Sequence, residues 1–135
     1  MNRFIIFVFL LVLLFHSGCK HHSSKYLDAK TYSKLVGTCS NLKNKDLIVY
    51  YFDGDCGICL AKVNFLEKKY SSNENLNLLF IARTFNPDIL KYNLTTQKIR
   101  SCVYIEHQNE FEKALKFDNV IELNTDRSYR YIDVK

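Results

Sequence analysis

Leu47-Ile48-Val49-Tyr50-Tyr51-Phe52 is an unbroken run of apolar and aromatic residues with no alternation. A strand with one face in water alternates with a period of two. A short continuous run rich in β-formers suits a strand covered on both faces. Covering both faces of a sheet takes packed layers above and below it, which points to an α/β architecture. The run leads into Asp53-Gly54-Asp55-Cys56-Gly57-Ile58-Cys59, a turn composition that ends in Cys-x-x-Cys. A helical pattern starts at once. Cys59, Val63, Leu66 and Tyr70 fall at i, i+4, i+7 and i+11, Ile58 and Phe65 widen that face, and Lys62, Asn64 and Lys69 lie outside it.

Downstream the alternation continues. Leu76 to Ala82 reads as a second strand. Asn86-Pro87-Asp88 is a helix start with a capping Asn, a Pro at the first helical position and an acid in the first turn, and Ile89, Leu90 and Leu94 supply its apolar face. Cys102 to Ile105 is a third strand, and Phe111, Ala114 and Leu115 predict a short helix after it. Val120 to Leu123, the loop 124–128 and Tyr129 to Val134 read as a closing β-hairpin. Upstream, Tyr26, Leu27, Tyr32, Leu35 and Val36 predict a short helix on the domain edge, ended by Gly37. A chain of 135 residues, 47% hydrophobic, has room for one domain with a real core. The fold class expected is α/β, a central mixed sheet with helices on both faces and a final hairpin.

The formal charge of +5 is spread along the chain, with Lys68-Lys69 its tightest pair and Lys43 and Lys45 flanking Asn44. No basic stripe interleaves with aromatics, so nucleic-acid binding is not expected.

The N-terminus reads as an export signal. Asn2-Arg3 is a short basic region, and Phe4 to Phe15 is an apolar run of twelve residues. As a helix it spans roughly 18 Å, well short of a ~30 Å hydrocarbon core. Ser17-Gly18-Cys19 follows, and small residues directly before a cysteine resemble the lipobox of bacterial lipoproteins, with His16 departing from the usual aliphatic position. The resemblance implies cleavage before Cys19 and acylation of Cys19. Residues 1–18 are then a lipoprotein signal peptide, 19–45 the lipidated cysteine, a tether and an N-terminal extension, and 46–135 the folded domain. His21-His22-Ser23-Ser24 suits a solvated tether better than a metal site. A domain so anchored faces an extracytoplasmic space, where disulfides persist.

Four cysteines remain: Cys39, Cys56, Cys59 and Cys102. Proximity favours pairing of Cys56 with Cys59, and Cys39 and Cys102 are either a structural disulfide or two buried thiols. Cys56 falls at or just before a helix start, where unpaired N–H groups and the positive end of the helix dipole favour a thiolate over a thiol of pKa near 8.5. Asp53 and Asp55 oppose that ionisation if they lie close. Cys59, one turn on and more buried, stays a thiol until needed. The chemistry that follows is attack by Cys56 on a disulfide and resolution of the mixed disulfide by Cys59. A zinc site would need two more ligands; Cys102 and His107 are distant in sequence, and no metal and no cofactor is expected. Lys62, one turn into the helix, reads as a solvated lysine. Cys102 reads as a small hydrophobe, and Tyr104, Phe111, Phe117 and the hairpin tyrosines as core or sheet-face residues.

From Leu47 onward, about two thirds of the chain resembles a thioredoxin-like domain, closest to the membrane-tethered TlpA-like and peroxiredoxin-like branch. The residues that carry the resemblance are the strand running into Cys56-Gly57-Ile58-Cys59 and the extra strand–helix unit from Cys102 to Phe117. The resemblance implies thiol–disulfide exchange with cysteine-containing extracytoplasmic proteins or a redox partner, Cys56 as nucleophile and Cys59 as resolving thiol. The chain departs from the pattern at three places. The cis-proline expected near Asn119-Val120 is missing, Gly54-Asp55 replaces a Trp before the first cysteine, and no final helix follows Val134-Lys135. One sheet face is then either under-covered or covered by the Tyr26–Val36 segment. A module of the same fold that holds a metal or a protein with little or no turnover is the alternative expectation.

Overall fold

The computed structural model describes residues 25–42 and 44–134. The signal segment, Cys19 and His21-His22 lie outside the described residues. In chain order the elements are β1 (Lys25–Tyr26), α1 (Ala29–Gly37), β2 (Asp46–Asp53), α2 (Gly57–Tyr70), β3 (Leu76–Arg83), α3 (Pro87–Thr96), β4 (Cys102–Ile105), β5 (Asn119–Leu123) and β6 (Ser128–Ile132). One six-stranded sheet runs β1-β6-β5-β2-β3-β4. The pairs β2–β3 and β3–β4 are parallel, whereas β5 lies antiparallel to β2, β6 to β5 and β1 to β6.

β2 sits in the middle, and its apolar run is buried throughout from Leu47 to Phe52. Alternate residues serve two separate cores. Ile48, Tyr50 and Phe52 meet Cys59, Leu60, Val63 and Leu66 of α2 and Leu90 and Leu94 of α3. Leu47, Val49 and Tyr51 meet Leu27, Leu35 and Leu42 from the N-terminal segment, with Phe111 and Leu115. The two parallel crossovers step the same way across the sheet, so a common hand places α2 and α3 on one face. α1 and the return from β4 to β5 cover the other. The Tyr26–Val36 segment therefore does cover a sheet face.

Local sequence explains the helix ends. Asp28 caps α1 by accepting from the Thr31 N–H at 2.9 Å. Gly37 is the last helical residue, and Thr38 closes the end with its N–H and hydroxyl on the Leu35 carbonyl. Asn86 caps α3 through the Ile89 N–H at 3.3 Å, with Pro87 at the first position. Lys68 and Lys69 lie in the last turn of α2, where the dipole favours cations.

One expected element is absent. Residues 111–115 form turns, not a short helix. The Phe111, Ala114, Leu115 spacing is satisfied by one hydrogen-bonded turn, with the Ala114 and Leu115 N–H groups on the Phe111 carbonyl at 3.0 and 2.8 Å. The buried Glu106 carboxylate takes the Phe111 N–H at 3.3 Å, and left-handed backbone at Asn109 and Asp118 bounds the segment.

A disulfide joins Cys39, just past α1, to Cys102 at the start of β4, with Cα atoms 6.4 Å apart. The open choice between a disulfide and two buried thiols is thereby resolved, and Cys102 is not a lone small hydrophobe. The bridge spans a sequence separation of 63 residues and ties the α1 layer to the sheet edge.

Candidate active site

The parallel strands end at the same height, and the Cys-x-x-Cys turn sits there. Asp53 is the last residue of β2 and pairs with Arg83 at the end of β3. The turn folds back on itself: the Gly54 N–H donates to the Arg83 carbonyl at 2.7 Å, and the Cys56 N–H to the Asp53 carbonyl at 3.3 Å. A Cβ at Gly54 would lie 2.8 Å from Leu90 Cδ2 and 3.2 Å from the Arg83 carbonyl. A side chain here would press on the Leu90 side chain of α3 and on the chain at the end of β3, so glycine lets the turn pack close.

Cys56 is the N-cap of α2. Its sulfur accepts from the Cys59 N–H at 3.3 Å, so a thiol takes the place usually held by Ser, Thr, Asp or Asn. Both cysteines are free thiols, Cys56 half-buried and Cys59 buried. Burial pushes the Cys59 thiol up to about 11, helped by the neighbouring Cys56 sulfur and the Asp118 carboxylate and opposed by the Tyr50 hydroxyl. The two sulfurs are therefore unlike: one reachable at the helix start, the other a protonated thiol beneath it.

The acids before the pair are occupied. Asp53 accepts the Asp55 N–H at 2.9 Å. Asp55 accepts from the Thr84 hydroxyl at 2.7 Å and the Phe85 N–H at 2.8 Å, and these bonds hold its carboxyl below the usual range. Asp55 thus straps the loop after β3 to the cysteine turn. That loop presents Phe85 fully to solvent, and Ile58 inside the motif is 84% exposed.

On the α2 face of β2, Tyr50, Lys62 and Asp118 form a group that the sequence pattern does not bring together. Tyr50, fully buried on the α2 face of β2, donates its hydroxyl to Asp118 Oδ1 at 2.7 Å. Burial, this bond and the interaction with Cys59 raise the phenol well above its ordinary range. Lys62 is not a solvated lysine. Its ammonium bonds the Asp118 carbonyl at 3.3 Å, lies 3.7 Å from Asp118 Oδ1 and sits 4.9 Å over the Tyr50 ring. Asp118 stands directly before β5, where the resemblance expects a cis-proline. Its φ is 59°, and its N–H donates to the Tyr51 carbonyl at 2.7 Å. One signal for this group was available. Tyr50 shares a β2 face with Ile48 and Phe52, the face turned to the cysteine-bearing helix. Asp118 gave no such signal, because only the tertiary return from β4 brings it there.

His107 is exposed and lines a cleft of about 420 Å³ with Asp53, Asp55, Arg83 and Phe85. Cys102 opens β4, level with Leu79 in the middle of β3, and is bonded to Cys39. Among the described residues no three His, Cys, Asp or Glu side chains converge as a metal site.

A parallel β-α-β-α-β unit, an antiparallel closing hairpin and a Cys-x-x-Cys at the start of the first crossover helix define a thioredoxin-like fold. Solved structures agree. The chain is similar to a secreted Mycobacterium tuberculosis disulfide oxidoreductase homologous to E. coli DsbE, with a TM-score of 0.58 and 10% identity over 70% of this chain and 72% of that one. It is also similar to the thioredoxin domain of a Bacteroides vulgatus thiol-disulfide oxidoreductase, with a TM-score of 0.59 and 12% identity over 70% of this chain and 74% of the other. A thiol:disulfide interchange protein of the thioredoxin family from Chlorobium tepidum matches at a TM-score of 0.52 and 18% identity, over 70% and 72% of the two chains. No family model matches the chain, and no curated protein matches it in sequence.

Proposed function

We propose that this protein is a thiol–disulfide oxidoreductase held at a membrane surface by lipid on Cys19, facing an extracytoplasmic space and acting on cysteine-containing proteins. The observation that carries the redox part is the asymmetry of the pair: a reachable Cys56 sulfur capping α2, over a buried Cys59 thiol one turn along. In the reducing direction the Cys56 thiolate attacks one sulfur of a substrate disulfide. The substrate S–S bond breaks, one substrate thiolate leaves and is protonated, and Cys56 holds the other half as a mixed disulfide. Cys59 loses its proton and attacks Cys56 Sγ, the mixed disulfide breaks, and the second substrate thiol departs. The substrate gains two electrons and the Cys56–Cys59 couple loses them; the reverse sequence oxidises a dithiol. The exposed Ile58 and Phe85 beside the pair supply apolar contact for a polypeptide.

Turnover tests this. The full chain, supplied with dithiothreitol, is expected to reduce a disulfide-bonded protein such as insulin faster than dithiothreitol alone. Cys56→Ser should bring the rate down to that of dithiothreitol. Wild type without any such activity, together with equal loss of stability in Cys56→Ser and Cys59→Ser, would instead identify a structural disulfide. Stoichiometric metal retained through the two cysteines would identify a binding module.

A further inference from the structure

The outer strand on one side of the sheet is β1, which pairs with β6 through Lys25–Tyr129 and Tyr26–Ser128. Lys25 comes six residues after Cys19. Whatever its conformation, a segment of that length reaches at most about 20 Å. A lipid on Cys19 therefore keeps the β1 edge within that distance of the head groups. The side chains at this edge suit such a surface. Tyr26 is 64% exposed, and Lys25, Lys116 and Arg127 are exposed as well. The Lys25 and Lys116 ammonium groups lie 4.9 and 5.9 Å from the centroid of the Tyr131 ring, and Tyr129 packs edge-on against the same ring at 5.9 Å. Tyrosine and lysine each join an apolar body to a polar tip, a combination that settles at the boundary between acyl chains and water. The acids nearby are engaged: Asp28 accepts from Thr31, Asp126 from Ser128 and Glu122 from Arg130, while Asp133 stands past the other end of β6. Lys25, Lys116 and Arg127 thus give the edge a positive balance, which favours anionic head groups.

We propose that the β1–β6 edge rests on an anionic lipid surface, with Tyr26 at head-group depth and Lys25, Arg127 and Lys116 against the lipid phosphates. This placement rests on the reading of Cys19 as the lipid-bearing residue, and goes beyond it by giving the domain one orientation on the membrane. Register then fixes where the cysteines stand. Lys25, Tyr129, Leu123 and Leu47 lie in one row across the sheet. Asp53, where the cysteine turn starts, is six residues along β2 from Leu47. That is about 20 Å along the strands, and the three strand spacings from β1 to β2 add about 14 Å across them. The Cys-x-x-Cys turn therefore stands clear of the head groups. Ile58 and Phe85 stay in water, where a soluble polypeptide can reach them.

The chain has no Trp, so a single introduced Trp reports only on its own surroundings. The lipidated protein is reconstituted on vesicles of phosphatidylcholine and phosphatidylglycerol whose acyl chains carry bromine near the head group. Tyr26→Trp reports on the β1 edge. Tyr92→Trp, at a 71% exposed position of α3 over the β3–β4 side of the sheet, is the reference. Both changes replace one exposed aromatic with another and leave the core untouched. Emission from position 26 is expected to shift to the blue and to be quenched by bromine, and emission from position 92 to do neither. Adding Lys25→Gln and Arg127→Asn to Tyr26→Trp should relieve the quenching; Asn suits the left-handed backbone at 127. Each basic residue near an anionic surface is worth roughly fivefold, so the ratio of docked to undocked protein should fall roughly 25-fold. High salt should have the same effect. Protein that floats with the vesicles but shows no quenching at 26, or equal quenching at both positions, would overturn the docking and leave the anchor standing. Quenching at 92 alone would put the membrane on α3, and a blue shift at 26 that grows with protein density without quenching would assign the edge to a second copy; either overturns the proposal. Protein that does not float with the vesicles would overturn the anchor and the docking together.

Discussion

Cys59 is a proton-holding residue in a place water does not reach easily. Its thiol is raised to about 11, first by burial and then by the Cys56 sulfur, from an ordinary value near 9. The consequence for stability has a definite sign. Between these values the unfolded chain loses the thiol proton and the folded chain keeps it, so the unfolded state binds fewer protons and stability falls as pH rises. The contribution is fully present below about pH 9 and is lost by about pH 11. Tyr50 and Tyr131, both raised by burial, act in the same direction at higher pH, so a difference measurement is needed. Urea unfolding of the reduced protein from pH 8 to 11 should show a loss of stability that is smaller in Cys59→Ala. Identical pH profiles would show that the Cys59 environment is not as described. Gly54 belongs to the same scale: it is the residue whose missing side chain lets the cysteine turn touch Leu90 and the Arg83 carbonyl.

Among the elements, β2 and α3 were legible because each announces itself locally. An apolar run without alternation has few outlets other than a doubly covered strand, and a capping Asn before Pro87 has few other than a helix start. β3, α2, β4 and the hairpin follow from signals of the same kind. Pairing across the fold was not legible. Four cysteines permit three connectivities; proximity favours Cys56 with Cys59, but nothing in the sequence says whether the remaining Cys39 and Cys102 are bonded or two buried thiols. The turn at 111–115 misled because a spacing of i, i+3, i+4 occupies a single turn and does not require a second. The disulfide makes a prediction at this scale. Loop-closure entropy for a bridge of this span is worth about 4 kcal/mol. The double variant Cys39→Ala/Cys102→Ala should therefore lose stability of that order in urea unfolding while Cys56 remains open to alkylation. Unchanged stability would remove the bridge from the account. α1 depends on the same tie, since Leu35 is its fully buried anchor and the bridge lies just beyond its C-terminal end.

Across the whole molecule, the two sheet faces divide the work. The face under α2 and α3 carries the cysteine pair, Tyr50 and Asp118, and the opposite face carries α1, the disulfide and the Glu106-anchored return to β5. The candidate site was legible as far as Cys56 and Cys59, which sequence neighbours define, and illegible at Asp118, which only the tertiary path delivers. The proposed lipid anchor at Cys19 has its own test: the mature wild-type protein should partition into the detergent phase, and Cys19→Ala into the aqueous phase. Equal aqueous partition of both would remove the anchor and leave the redox chemistry standing. That chemistry is the central claim, and trapping tests it most directly. Reduced Cys56→Ser and Cys59→Ser proteins are each exposed to a disulfide-bonded polypeptide, and adducts are mapped by mass spectrometry after acid quench. The predicted result is a stable mixed disulfide on Cys56 in Cys59→Ser and none at Cys59 in Cys56→Ser. Adducts that form equally at either cysteine, or at neither, would contradict the assignment of Cys56 as nucleophile and Cys59 as resolving thiol.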